Sequence, residues 1–140
     1  MERAHILIVE DDPTCRQMLA AVLTESGLDV ASAAGGEEAM RFLYSEEACD
    51  VVLCDIVMPW MSGIELSRLV KDCRPGLPVI LMSGEADAIE RVTESGSLAL
   101  AKPFSCDRLI SILTDALDLQ GNTVRSGTKP RPEYLREGSP

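Results

Sequence analysis

The sequence predicts a doubly wound α/β domain, a parallel sheet with helices packed on both faces. Five short apolar runs recur along the chain, most of them aliphatic without polar alternation, as strands buried on both faces require. Stretches of helical period separate them, so that each strand is followed by a helix. Parallel neighbours need right-handed crossovers, and these place helices on both sides of the sheet.

His5 to Glu10 reads as the first strand, with the lone histidine a strand residue rather than a phosphodonor. Asp12 before Pro13 is a helix-start signal, an N-cap followed by proline at N1. Cys15, Met18, Leu19, Val22 and Leu23 then recur at amphipathic helical spacing. Leu28 to Ala33 is the second strand, followed by a short helix near Glu37 to Tyr44. Asp50 to Asp55 is the third, and Leu66, Leu69, Val70 and Cys73 mark the helix after it. Pro78 to Ser83 and the polar helix Ala86 to Glu94 come next. Ser97 to Lys102 is the last strand, and Leu109, Leu113, Ala116 and Leu117 give the final helix. Residues 1–120 are thus read as one domain, and 121–140, rich in Gly, Pro and charge without apolar period, as a flexible tail.

The chain carries 13 Lys and Arg against 23 Asp and Glu, a net charge of -10. Residues 1–120 hold 9 basic and 21 acidic groups, whereas 121–140 hold 4 and 2. Such an excess opposes contact with phosphate backbones or anionic lipid, and at 4% aromatics there is little to stack on bases. Nucleic acid and membrane are therefore not expected partners. The five cysteines, Cys15, Cys49, Cys54, Cys73 and Cys106, show no C-x-x-C spacing, and no signal peptide or long apolar run is present. A reducing cytoplasm is the expected compartment. One histidine and no thiolate spacing exclude a zinc site.

All strands of a parallel sheet end at one edge, so residues closing different strands meet there. The first strand ends in Glu10-Asp11-Asp12, the third in Asp55, the fourth in Ser83-Gly84 and the fifth in Lys102-Pro103. Packed carboxylates repel unless a cation compensates them, and hard oxygen donors without His or Cys favour magnesium. Asp11, Asp12 and Asp55 would form a half-built Mg2+ site. A phosphoryl group completes it, because the ion, the Lys102 ammonium, the Ser83 hydroxyl and backbone N–H groups can neutralise its oxygens. One carboxylate can then act as nucleophile and become an aspartyl phosphate. Each residue also has a plainer reading: Asp12 as a helix cap, Asp55 as a solvated strand end, Ser83-Gly84 as turn chemistry and Lys102 as a surface charge.

Over roughly residues 4–119 the chain resembles the receiver domain of two-component response regulators. HILIVEDDP looks like that family's first strand with its acidic pair, and VVLCDIVMPWMSG like its phospho-acceptor strand with the D-x-x-M-P-x-M-x-G loop. VILMSG matches the strand ending in Ser or Thr, and LAKPF the Lys-Pro motif. The resemblance implies a flavodoxin-like (βα)5 fold with strand order 2-1-3-4-5. It implies that Asp55 accepts the phosphoryl group, that Asp11, Asp12, Asp55 and the Val57 backbone carbonyl hold Mg2+, that Ser83 senses the phosphate and that Lys102 pairs with it across a cis Lys102-Pro103 bond. Val57 and Glu85 lie where family members tune hydrolysis.

The function this implies is a phosphorylation-dependent signalling protein of a phosphorelay. The donor would be a sensor histidine kinase or a histidine phosphotransfer protein. With no catalytic or DNA-binding domain seen after residue 120, a stand-alone regulator acting through protein contacts or onward phosphotransfer is expected, catalysing only its own phosphorylation and dephosphorylation. The alternative is an aspartate-nucleophile phosphatase acting on an external substrate. Such enzymes usually resemble D-x-D, and here the second position is Val57. One departure from the family stands out: Ala99 occupies the place, three residues before Lys102, where receivers usually carry an aromatic switch residue. Trp60, in the loop after Asp55, either covers the site edge or belongs to a partner face. Cys54, on the opposite side of the strand from Asp55, is read as a small packed hydrophobe.

Overall fold

A computed structural model describes residues 3–119. The strands are β1 (His5–Val9), β2 (Asp29–Ala33), β3 (Val51–Asp55), β4 (Val79–Ser83) and β5 (Leu98–Ala101). They alternate with α1 (Pro13–Glu25), α2 (Gly36–Leu43), α3 (Gly63–Cys73), α4 (Ala86–Glu94) and α5 (Cys106–Leu119). All strand pairs are parallel, in the order β2-β1-β3-β4-β5, as the sequence leads one to expect. The segment 121–140 lies outside the described residues. No described helix is long and apolar enough to cross a membrane.

The aliphatic character of the strands follows from their two burial partners. Leu7, Val9, Val52, Cys54 and Leu81 face a core completed by Leu43, Leu66, Val70 and Val92 of α2, α3 and α4. The alternate residues Ile6, Ile8, Val51, Leu53, Ile80, Met82 and Leu100 face Leu19, Leu23, Leu109 and Leu113 of α1 and α5. Each fully buried aliphatic side chain contributes about 1.5–3 kcal/mol, so neither face tolerates a polar substitution. Cys54 is fully buried, and burial next to the Asp55 charge raises its thiol pKa well above the usual value, so it packs as an inert hydrophobe.

Because β1 lies between β2 and β3, the chain leaves the sheet centre in opposite directions after β1 and after β3. That topological switch opens a crevice beyond the strand C-termini, where parallel sheets bind ligands. The helix starts are fixed locally around it. Asp12 caps α1 by accepting the Thr14 N–H at 3.0 Å, with Pro13 in the first turn. Ser62 caps α3 by accepting the Glu65 N–H at 3.1 Å.

Arg74, at the end of α3, is buried, and its guanidinium donates to the main-chain carbonyls of Leu43 at 3.0 Å, Ser45 at 3.2 Å and Glu47 at 2.8 Å. It thus ties the α2–β3 connection to α3. Replacing it with Met keeps the apolar stem but leaves these carbonyls without their charged donor, which is expected to cost about 2 kcal/mol. Thermal unfolding checks this: the melting temperature should fall by roughly 6–10 °C, and an unchanged melt would show that water replaces the guanidinium at no cost.

Candidate functional site at the sheet edge

The ends of β1, β3 and β5 bring charged groups from three segments together in this crevice. Asp55 closes β3 with its side chain 13% exposed, and the Lys102 ammonium lies 3.6 Å from its Oδ1. The Glu10 carboxylate, 2% exposed, accepts from Lys102 Nζ at 3.1 Å. One carboxylate oxygen from each of Glu10, Asp11 and Asp55 lies within 4.8 Å of the others. The Lys102–Pro103 peptide just beyond β5 is cis.

Glu10 is held at every polar atom. Its N–H donates to Ala33 O at 3.1 Å, and its carbonyl accepts from Arg16 Nη1 at 2.7 Å. Besides Lys102, its carboxylate accepts from the Cys15 thiol and weakly from the Asp12 N–H at 3.4 Å. Burial alone would raise its pKa, but these donors and the Lys102 charge outweigh it and hold Glu10 below the ordinary value. Asp55 goes the other way: burial, then the Glu10 charge, pushes it up to about 6 despite Lys102. Burial pulls the Lys102 ammonium down, yet its bond to Glu10 and the Asp55 charge hold it above the usual value. Cys15, pushed up to about 11 by burial and then by its bond to Glu10, stays a protonated donor.

Three acids against one ammonium leave net negative charge, which adds to burial in raising the Asp55 pKa. The donor set is carboxylate oxygen alone, which fits Mg2+. Of the residues marked by the sequence, Asp11, Asp55 and Lys102 converge. Asp12 does not join the trio that could share a metal. Its carboxylate is committed to the α1 cap, and Glu10 stands in the place the sequence reading gave to Asp12. The signal for this was present in Asp12-Pro13, because an aspartate at N-cap faces the helix N–H groups.

Ser83 is buried at the end of β4, and its hydroxyl accepts the Glu85 N–H at 3.0 Å, shaping the turn into α4. Its carbonyl accepts the Lys102 N–H at 2.8 Å, which links it to the start of the Lys-Pro segment. Val57 is exposed in the β3–α3 loop, and Ala99 is half-buried on β5. Gly63 allows this loop to close. A Cβ there would overlap the Asp55 carbonyl oxygen and lie 3.0 Å from Ile56 Cα.

Known proteins resemble this chain in sequence and fold. The transcriptional regulatory protein GlrR of Escherichia coli K12 is 34% identical over 118 residues, which is 82% of this chain and 26% of GlrR. The chain thus spans about a quarter of the length of that relative. A response regulator receiver domain protein from Clostridium thermocellum superposes with a TM-score of 0.77 at 28% identity, covering 85% of this chain and 98% of the other. TrrA of Thermotoga maritima, a response regulator solved in complex with Mg2+ and BeF, gives 0.74 at 28% identity over 81% and 99%. The model of the response regulator receiver domain matches residues 6–114, and with the parallel sheet, the acidic crevice and the Lys-Pro segment in place, the chain belongs to that family.

Proposed function

We propose that this receiver domain takes a phosphoryl group from the phosphohistidine of a sensor histidine kinase or histidine phosphotransfer protein onto Asp55, and signals through protein contacts or onward transfer. The observation that carries this reading is a half-buried carboxylate at the switch point with an ammonium 3.6 Å away. An Asp55 oxygen attacks phosphorus as the P–N bond breaks, and the electron pair stays on the imidazole nitrogen, which takes up a proton. Lys102 offers its charge to the oxygens of the group being transferred, and Glu10 keeps that ammonium charged and aimed into the crevice. Mg2+, held by Glu10, Asp11, Asp55 and the Val57 carbonyl, would supply the positive charge that lets an anionic donor approach three carboxylates. Ser83, once its hydroxyl leaves the Glu85 N–H, would report the new charge to α4. Val57 has no proton to give a leaving group, which supports self-phosphorylation over turnover of an external substrate.

Radiolabel transfer from a panel of histidine kinases tests the proposal. Alkali-labile label that requires Mg2+ is expected, and absence of label from every kinase and from acetyl phosphate would overturn it. The metal assignment has its own check. Raising Mg2+ should raise the melting temperature of the wild type, and Glu10→Gln should remove most of that increase. Asp12→Ala should lower the metal-free stability by about 1 kcal/mol through the lost cap, yet keep the Mg2+ response. If Asp12→Ala instead abolishes the response, Asp12 is a ligand and the cap is secondary.

A further inference from the structure

Trp60 is fully exposed and has a φ of +72°, in the left-handed region where bulky residues are rare. The position suits glycine, so a tryptophan here is costly both in backbone conformation and in exposed apolar surface. With Pro59 and Met61 it forms one wall of a groove of about 690 Å³, whose other wall is the first turns of α2 with Glu37, Glu38 and Arg41. The groove has a fixed floor. Gly36 lets α2 start against Met61, since a Cβ on Gly36 would overlap the Met61 sulfur, and Met61 packs on the core.

We propose that this groove docks a basic, arginine-bearing segment of a partner protein. Arg41 is tied to Glu37 at 3.0 Å, and Glu38, whose carboxylate accepts only the Ala34 N–H at 3.3 Å among the described residues, leaves a surplus negative charge on the wall facing the indole. A planar guanidinium can stack flat on the Trp60 face and pair with a carboxylate at once, which a lysine does less well and an apolar group cannot do. A second copy of the chain is a poor occupant, because each carries a net charge of -10. Exposed tryptophans next to a charged rim are characteristic of interface anchors. The loop that bears Trp60 also bears Asp55 at its start, so the docked segment would lie beside the site of phosphorylation.

Trp60 is the only tryptophan in the chain, and its emission therefore reports on this groove alone. The probe is a hexapeptide alternating arginine and glycine, added to the full chain, with glutamate–glycine and lysine–glycine peptides for comparison. The arginine peptide should shift and quench Trp60 emission saturably, more strongly than the lysine peptide, and the glutamate peptide should do nothing. Glu37→Gln with Glu38→Gln should weaken binding about tenfold, whereas Glu90→Gln with Glu94→Gln on α4 should change it less than about twofold. Trp60→Gly, which relieves the backbone, should keep the fold and weaken binding about tenfold by amide chemical shifts. No emission change, an equal response to glutamate peptide or equal loss from the α4 pair would overturn the proposal. So would peptide-free emission that already responds to salt, which would make the chain's own basic residues the occupant, or a dimer lost in Trp60→Gly, which would make it a second copy.

Discussion

Asp55→Asn should abolish phosphorylation and, in the metal-free protein at pH 7.5, raise stability by about 1–3 kcal/mol. Loss of label follows from loss of the nucleophile. The gain in stability follows from charge: at neutral pH the wild type holds Glu10, Asp11 and Asp55 against one ammonium, and burial with the Glu10 charge pushes Asp55 up to about 6 from 3.8. An Asp whose pKa is raised on folding binds its proton more tightly in the folded state. Its stabilising contribution is therefore complete below about 3.8 and is lost as pH rises through about 6. The mutant's advantage should accordingly grow from pH 4 to pH 6.5 and then level off. Glu10, with its lowered pKa, has the opposite sign: its contribution is present above its unfolded pKa and lost as pH falls. Melting curves of the two proteins between pH 4 and pH 8, without and with Mg2+, measure the difference. Saturating Mg2+ should shrink it, because the wild type alone gains a full set of ligands. A mutant less stable than wild type at pH 7.5 would mean that Asp55 is already neutralised by Lys102, and label on the mutant would place the acceptor elsewhere.

The three central strands, β1, β3 and β4, were legible because each is buried on both faces and so is largely aliphatic, whereas the edge strands β2 and β5 are only partly covered and were read from their spacing between helices. Their ends were read one residue too long for a physical reason. Glu10, Asp50 and Lys102 still donate ladder-like bonds to Ala33, His5 and Ser83, so the chain stays extended past the last regular pair. In the site, Asp11, Asp55 and Lys102 could be named from sequence because each closes a strand at the same edge. The choice between Glu10 and Asp12 could not be made from adjacency alone. A strand that ends at Val9 and a helix that starts at Pro13 leave three acidic residues between them, and the direction of each depends on backbone angles. Arg74 was invisible for a different reason. An arginine closing a helix reads as a solvated charge, and its burial depends on carbonyls of Leu43, Ser45 and Glu47 contributed by a distant turn. The left-handed φ of Trp60 likewise has no signature in composition, since glycine is the residue that would have announced it.

Gly63→Ala should destabilise the domain by about 3 kcal/mol or more and slow phosphorylation in molecules that remain folded. The added Cβ meets main chain, the Asp55 carbonyl oxygen and Ile56 Cα, and not the far end of a flexible side chain. No rotamer change relieves it. The Gly63 N–H also donates to Ile56 O at 2.8 Å, the bond that closes the loop from β3 to α3, and an outward shift of α3 stretches that bond. Because the clashing oxygen belongs to Asp55 itself, relaxation displaces the nucleophile relative to Lys102 and Glu10. A displacement near 1 Å is enough to cost about a hundredfold in rate. The melting temperature should drop by on the order of 10 °C, and labelling by acetyl phosphate at 15 °C, where the variant is still folded by circular dichroism, should be slower at saturating Mg2+. Gly35→Ala is the control, since a Cβ at Gly35 meets nothing within 4 Å. It should label like the wild type and lose no more than about 1 kcal/mol, the cost of alanine in place of glycine at the α2 N-cap. A Gly63→Ala protein that melts within 2 °C of wild type would show that α3 can move away freely. Such a melt with slowed labelling would mean that the Asp55 loop is displaced without strain, and a lowered melting temperature with normal labelling would mean that the nucleophile's position does not depend on how closely α3 approaches β3.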